Sequence, residues 1–139
     1  YLLFMANEHV LLIETELPVP MTVADGTTIE KGTLLKMTDP DTAIASAAAD
    51  DIVAGVAKKE KIASDGNTKL AVYRGGQFTA VASGSITVGD ALVTAVPAGT
   101  NLLATAGVNA ENIVGIALET ATVGQTFKYE LKPRSNNLA

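Results

Sequence analysis

The feature that most constrains this chain is an internal duplication carried by glycines and short apolar runs. Val23-Ala24-Asp25-Gly26 returns as Val81-Ala82-Ser83-Gly84, and Ile29-Glu30-Lys31-Gly32-Thr33-Leu34-Leu35 returns as Ile86-Thr87-Val88-Gly89-Asp90-Ala91-Leu92. Further on, Ile52-Val53-Ala54-Gly55-Val56-Ala57 has a partner in Asn112-Ile113-Val114-Gly115-Ile116-Ala117. The copies are offset by 58, 57 and 60 positions at Val23/Val81, Gly32/Gly89 and Gly55/Gly115, so only short insertions separate them. What recurs is turn chemistry and β-rich apolar sequence, without a recurring reactive side chain. A duplicated scaffold with no duplicated chemistry points to a protein that presents a surface rather than to an enzyme.

We read Gly26, Gly32, Gly55, Gly84, Gly89 and Gly115 as turn glycines, because glycine accepts positive φ without steric cost. Between them fall short strands, near 21–23, 33–37, 52–57 and 70–72 in the first copy, with the same order in the second. Arg74-Gly75-Gly76-Gln77 suits a hairpin between the copies. Phe127, Tyr129 and Leu131 alternate with Lys128, Glu130 and Lys132, the period of two that marks a half-buried strand. Pro133 is expected to end it. The Ala-rich stretch 42–50 suggests a short helical turn, although such a run is too short to be stable alone.

The expected architecture is therefore all-β: one compact barrel or sandwich over 19–131, built from pseudo-repeats at about 19–72 and 78–131. Neither half is expected to close a core by itself. An extended N-terminal arm occupies 1–18, and a polar tail occupies 132–139.

A chain of 139 residues is long enough to bury a sizeable core without staples. Its residues are 47% hydrophobic but only 4% aromatic, with no Trp, so burial must come from many small side chains. The net charge is −5 and the pI about 4.7, and no basic stripe of the kind that neutralises phosphates is visible. Nucleic acid is not an expected partner. Lys58, Lys59 and Lys61 form the densest basic cluster, read as charges guarding a strand edge. Cysteine is absent, which removes thiol chemistry. The apolar Tyr1-Leu2-Leu3-Phe4-Met5 is far shorter than the roughly 20 residues of a membrane span, so no membrane is expected either. Met5-Ala6-Asn7 has the look of a translation start, with the first four residues as an upstream extension.

A search for chemistry yields little. His9 is the single histidine, beside Glu8 in the arm, and reads as a solvated or interface residue. Asp39-Pro40-Asp41 lacks the further ligands and glycine of a calcium loop, and Asp50-Asp51 reads as a bend. Ser83 stands where the first copy has Asp25, so it reads as a turn residue rather than a nucleophile. No glycine pattern cradles a phosphate. No catalytic residue, cofactor or metal is expected. Two other roles are worth weighing. The I-x-x-G-x-x-L repeat invites comparison with biotinyl and lipoyl carriers, in which Leu35-Lys36-Met37 would have to present a modified lysine. A surface module recognising a glycan would need a cluster of exposed aromatics.

The order Ile29-Glu30-Lys31-Gly32-Thr33-Leu34-Leu35, Gly55-Val56-Ala57, Gly75-Gly76-Gln77-Phe78, Gly84-Ser85-Ile86-Thr87-Val88-Gly89-Asp90-Ala91-Leu92 and Gly115-Ile116-Ala117-Leu118-Glu119-Thr120-Ala121 resembles the small capsid decoration, or cement, proteins of tailed phages. The resemblance covers about 19–131 and implies a β fold that assembles as homotrimers on the outer surface of an icosahedral head. There it would bridge subunits of the major capsid protein at threefold positions. The arm lies outside the resemblance. Its apolar residues Leu2, Leu3, Phe4, Val10, Leu11, Leu12 and Ile13 are the expected capsid or intersubunit contacts, and the duplicated fold is expected to close without them; the alternative is that the arm adds an edge strand to its own barrel.

Overall fold

The computed structural model describes residues 7–95 and 101–135, and within them the chain is all-β. Eleven strands follow in order: β1 (Val10–Ile13), β2 (Val19–Thr22), β3 (Leu34–Asp39), β4 (Thr42–Ala45), β5 (Val53–Ala57), β6 (Lys69–Tyr73), β7 (Gly76–Val81), β8 (Ala91–Thr94), β9 (Leu103–Thr105), β10 (Asn112–Ala117) and β11 (Thr126–Ser135). Strands β2-β4-β3-β5-β6 form a closed barrel, and the others form a six-stranded sheet ordered β1-β7-β11-β10-β8-β9.

The duplication is visible bond by bond. Pairings β2–β6, β3–β4, β3–β5 and β5–β6 recur as β7–β11, β8–β9, β8–β10 and β10–β11. The parallel closure of β2 on β4 at Thr22↔Thr42 has its counterpart in a parallel bridge, Ala82↔Leu103. Gly32 N donates to Ala57 O at 2.9 Å as Gly89 N donates to Ala117 O at 2.8 Å. Both glycines have positive φ, 83° and 92°, so these two turns require the residue they repeat.

One stretch aligns a residue away from the sequence match. Val23 N donates to Thr68 O, and Ala82 N donates to Gln125 O. Val23 therefore corresponds to Ala82 rather than Val81, and both are 1% exposed. A one-residue slip would turn every side chain of the strand to the other face, so burial overrides the Val-Ala-x-Gly likeness.

Gly55 and Gly115 are not turn residues. They lie within β5 and β10, where a Cβ would run into the carbonyls of Tyr73 and Glu130, equivalent positions on β6 and β11. Each sits beside a register irregularity, and bare backbone is what permits the close approach.

Two further expectations are corrected. The 42–50 stretch holds no helical turn. Residues 42–45 are strand β4, with Ala43 buried against the first barrel's core, and the Asp51 carboxylate gathers Ser46, Ala47 and Ala48 into a loop. Barrel closure supplies strand partners that outweigh alanine's helical preference. The last strand does not stop at Pro133 but runs to Ser135. Its register shifts between Ile113↔Arg134 and Gly115↔Leu131, so the proline sits in a bulge where its missing donor is not needed.

The first barrel encloses its own core of Met21, Val23, Ile29, Leu35, Ala54, Leu70 and Val72, although neither half was expected to do so. The second core, around Phe78, Leu92, Leu103, Phe127 and Tyr129, also takes Leu34, Val53, Val56 and Tyr73 from the first half. Its interior and the junction between halves are one continuous apolar cluster. Phe127, Tyr129 and Leu131 point into it, as their period of two predicts.

Candidate attachment surface

The arm does not stand apart from the body. Its residues 10–13 form β1, an antiparallel edge strand on β7, with Val10 opposite Thr79, Leu11 opposite Phe78 and Ile13 opposite Gln77. A register irregularity falls at Leu12. Leu11 turns inward and packs on the second core. The other three turn outward: Val10, Leu12 and Ile13 are 46%, 48% and 52% exposed. Leu17 and Val19 are also exposed, Leu17 at 82%. Neither was singled out in the sequence, because one apolar residue between Glu16 and Pro18 carries no periodic signal. Leu2, Leu3 and Phe4 lie outside the described residues.

His9, expected in solvent or at an interface, is 2% exposed. Its backbone N donates to Gly32 O. Its Nε2 lies 2.7 Å from Asn101 O and its Nδ1 lies 2.6 Å from the Tyr129 hydroxyl. A carbonyl can only accept, so Nε2 carries the proton and the tyrosine donates to Nδ1. Burial lowers the imidazole pKa to about 4, against a smaller opposing effect of the Asn101 carbonyl. Burial likewise raises the Tyr129 phenol. The Asn101 side-chain oxygen accepts from Leu34 N at 3.0 Å, so this polar knot ties arm, first half and second half together. Its members lie 92 and 120 positions from His9, beyond any local sequence signal.

The rest of the arm follows the seam between the halves. Glu14 hydrogen-bonds the Tyr73 hydroxyl, whose pKa is raised by burial first and by Glu14 second. Glu16 lies over Gly75, where a Cβ would meet its carboxylate. A cleft of about 320 Å³ opens beside β1, lined by Leu11, Val56, Tyr73 and Phe78 with Lys31 and Lys58 among its polar residues.

The remaining singled-out residues serve the scaffold. Lys61 is buried rather than guarding an edge: its ammonium donates to Asp65 Oδ1, Asp25 Oδ1 and the carbonyls of Asp25 and Ile62. Desolvation lowers its pKa, but the hydrogen bonds to Asp65 and Asp25 outweigh that and hold it above the ordinary lysine value. Asp50 accepts from the backbone of Glu111 and Asn112, across the two halves. Burial raises the Asp51 carboxyl, but N–H groups of Ala48 and Ala47, the Ser46 hydroxyl and Lys36 together hold it below the aspartate range. Asp39 ends β3, and Asp41 sits at φ 49° in the β3–β4 turn. Gly26 is in a tight turn, and Gly84 is in a bend that follows Ala82. Lys36 lies mid-strand, 3.9 Å from Asp51, and not at the hairpin tip that a carrier domain uses. Tyr73, Phe78, Phe127 and Tyr129, the aromatics within the described residues, are all buried. Among those residues no three His, Asp or Glu side chains are placed to share a metal ion.

No family model matches the sequence. No curated protein matches it either. Among solved structures, the fold is similar to the N base of head fiber gp8.5 in bacteriophage phi29. The TM-score is 0.53 at 21% identity, covering 84% of this chain and 93% of that one.

Proposed function

We propose that this chain is a structural protein of a phage virion, a capsid decoration protein that binds the outer surface of an icosahedral head. It bridges neighbouring major capsid subunits and stabilises the mature lattice. The observation that carries this reading is the likeness of fold to a phage head-fiber base over most of both chains. It agrees with the decoration-protein resemblance of the turn motifs, which rests on separate evidence. The apolar strip of Val10, Leu12 and Ile13 on β1 supports it further, since such side chains are costly to leave wet on one short strand.

The physics suits the role. A protein that binds only the mature lattice stabilises it by mass action, and a homotrimer with three contacts gains avidity without any single strong one. The protein acts without catalysis. The glycan-binding alternative lacks its distinguishing feature among the described residues, whose aromatics are buried.

The test is co-sedimentation with expanded heads and with unexpanded precursor heads of the phage that encodes the chain. Binding to expanded heads only is expected. Changing Val10, Leu12 and Ile13 to polar residues, with His9 and Leu11 intact, should abolish binding while the melting temperature stays near that of wild type. Equal binding by this variant would overturn the assignment of the strip.

A further inference from the structure

We propose that the slot beside β7 is a strand-exchange site, filled in the assembled state by β1 of a second copy of this chain. The second half has its own five strands, β7-β11-β10-β8-β9, matching those of the first half pairing by pairing. Strand β1 is a sixth, supplied from outside both repeats. The slot thus belongs to the duplicated fold, while its occupant comes from outside it.

The two halves treat this edge differently. In β7 the backbone of Ala82 faces β11, as its bond to Gln125 O shows, so the alternate residues Gln77 and Thr79 face β1. By the correspondence of Val23 with Ala82, their counterparts in the first half are Pro18 and Pro20. Proline has no N–H to donate, so that edge is closed to a further strand. One duplicated edge is blocked and its twin accepts β1.

The connection from β1 to β2 suits exchange. Residues 14–18 are five in number, span about 17 Å when extended, and include Pro18, which favours an extended over a folded path. In this hinge Leu17 is 82% exposed, and next to it Val19 is 38% exposed, when the strand folds back on its own chain. Crossing hinges of adjacent copies would cover them. Every contact of β1 with its slot, from Leu11 on the core to His9 on Tyr129 and Asn101, is re-made unchanged on the receiving copy. Exchange therefore sacrifices no slot contact, and high local concentration favours it. The outward face of β1 stays free in either arrangement, so this inference does not rest on the attachment reading.

The chain has no cysteine, which allows a direct test. Val10 and Thr79 are Cα partners with outward side chains, so Val10→Cys and Thr79→Cys place two thiols across the β1–β7 ladder. The full-length double variant is refolded at assembly concentration, oxidised mildly and run on a non-reducing gel. Most chains are expected as covalent dimers or closed rings. Mixing the two single variants, one carrying a size tag, should give the mixed disulfide. A double variant found only as a monomer without free thiols would refute exchange, as would free thiols in a folded protein, which would mean that another occupant holds the slot. Head binding scored on the same samples is a separate result: cis-linked monomers that still bind heads would overturn exchange and leave the attachment reading intact.

Discussion

His9→Ala is expected to destabilise this protein although His9 lies outside the duplicated fold. The substitution leaves the buried Tyr129 hydroxyl without the ring nitrogen it donates to and takes one donor from the Asn101 carbonyl. The orphaned buried hydroxyl alone costs about 1–3 kcal/mol. For a domain near this size that corresponds to a fall of roughly 3–10 °C in Tm. The same residue sets a pH window. Its pKa falls from 6.5 in the unfolded chain to about 4 in the fold. The unfolded state therefore binds more protons between these values. The stability is fully present above pH 6.5 and is lost as pH falls towards 4, by about 3 kcal/mol. Urea unfolding at pH 7, 5.5 and 4.5 measures both effects. Wild type should weaken across the series, and His9→Ala should start lower and show a flatter dependence. If the variant unfolds within about 1 kcal/mol of wild type at pH 7, and its pH dependence is unaltered, the polar knot is not what holds the arm.

Gly55→Ala and Gly115→Ala should each cost several kcal/mol, about 3 or more given backbone overlap in a packed strand pair, with similar losses because the two sites are equivalent; denaturant midpoints check this. Ala82→Asp should unfold the protein while Val81→Asp costs no more than about 1–2 kcal/mol, and the reverse order, read by circular dichroism, would restore the register suggested by sequence identity. Deleting residues 1–17 removes His9 and Leu11 from the second core and should lower Tm by about 10 °C or more, whereas an independent arm would leave it unchanged. Lys61→Met should melt earlier than wild type in a thermal scan, because four oxygen acceptors at the end of the first barrel lose their shared ammonium.

The duplication was legible because turn glycines and apolar runs are local signals. Gly32 and Gly89 announce the same turn, and the order of the strands follows from them. The alternation of Phe127, Tyr129 and Leu131 likewise marked the strand that anchors the second core. What was not legible depends on distant partners. The Ala-rich 42–45 segment becomes a strand because β3 is there to pair with it, and Gly55 is explained by a carbonyl on β6 rather than by its neighbours. His9 and Lys61 looked like surface residues because residue type sets the expectation when the partners that satisfy them are unseen. Within the arm, the apolar composition was plain, but which side chains face outward follows from pairing with β7, and that put Leu11 inside and Leu12 outside.

The buried ammonium at one barrel end has a consequence of another kind. Lys61 occupies the position that Ala121 holds in the second copy, as the bridges Ile29↔Lys61 and Ile86↔Ala121 show. The molecule thus carries a matched pair of buried bridge positions, one holding a titratable ion and its twin a methyl group. Because the Lys61 pKa is raised in the fold, its contribution is complete below the unfolded lysine value and is lost as pH rises through the folded one. Alkali should therefore loosen the 61–67 turn before its counterpart at 121–125, and amide exchange in the two loops would read that difference with the shared topology as an internal reference.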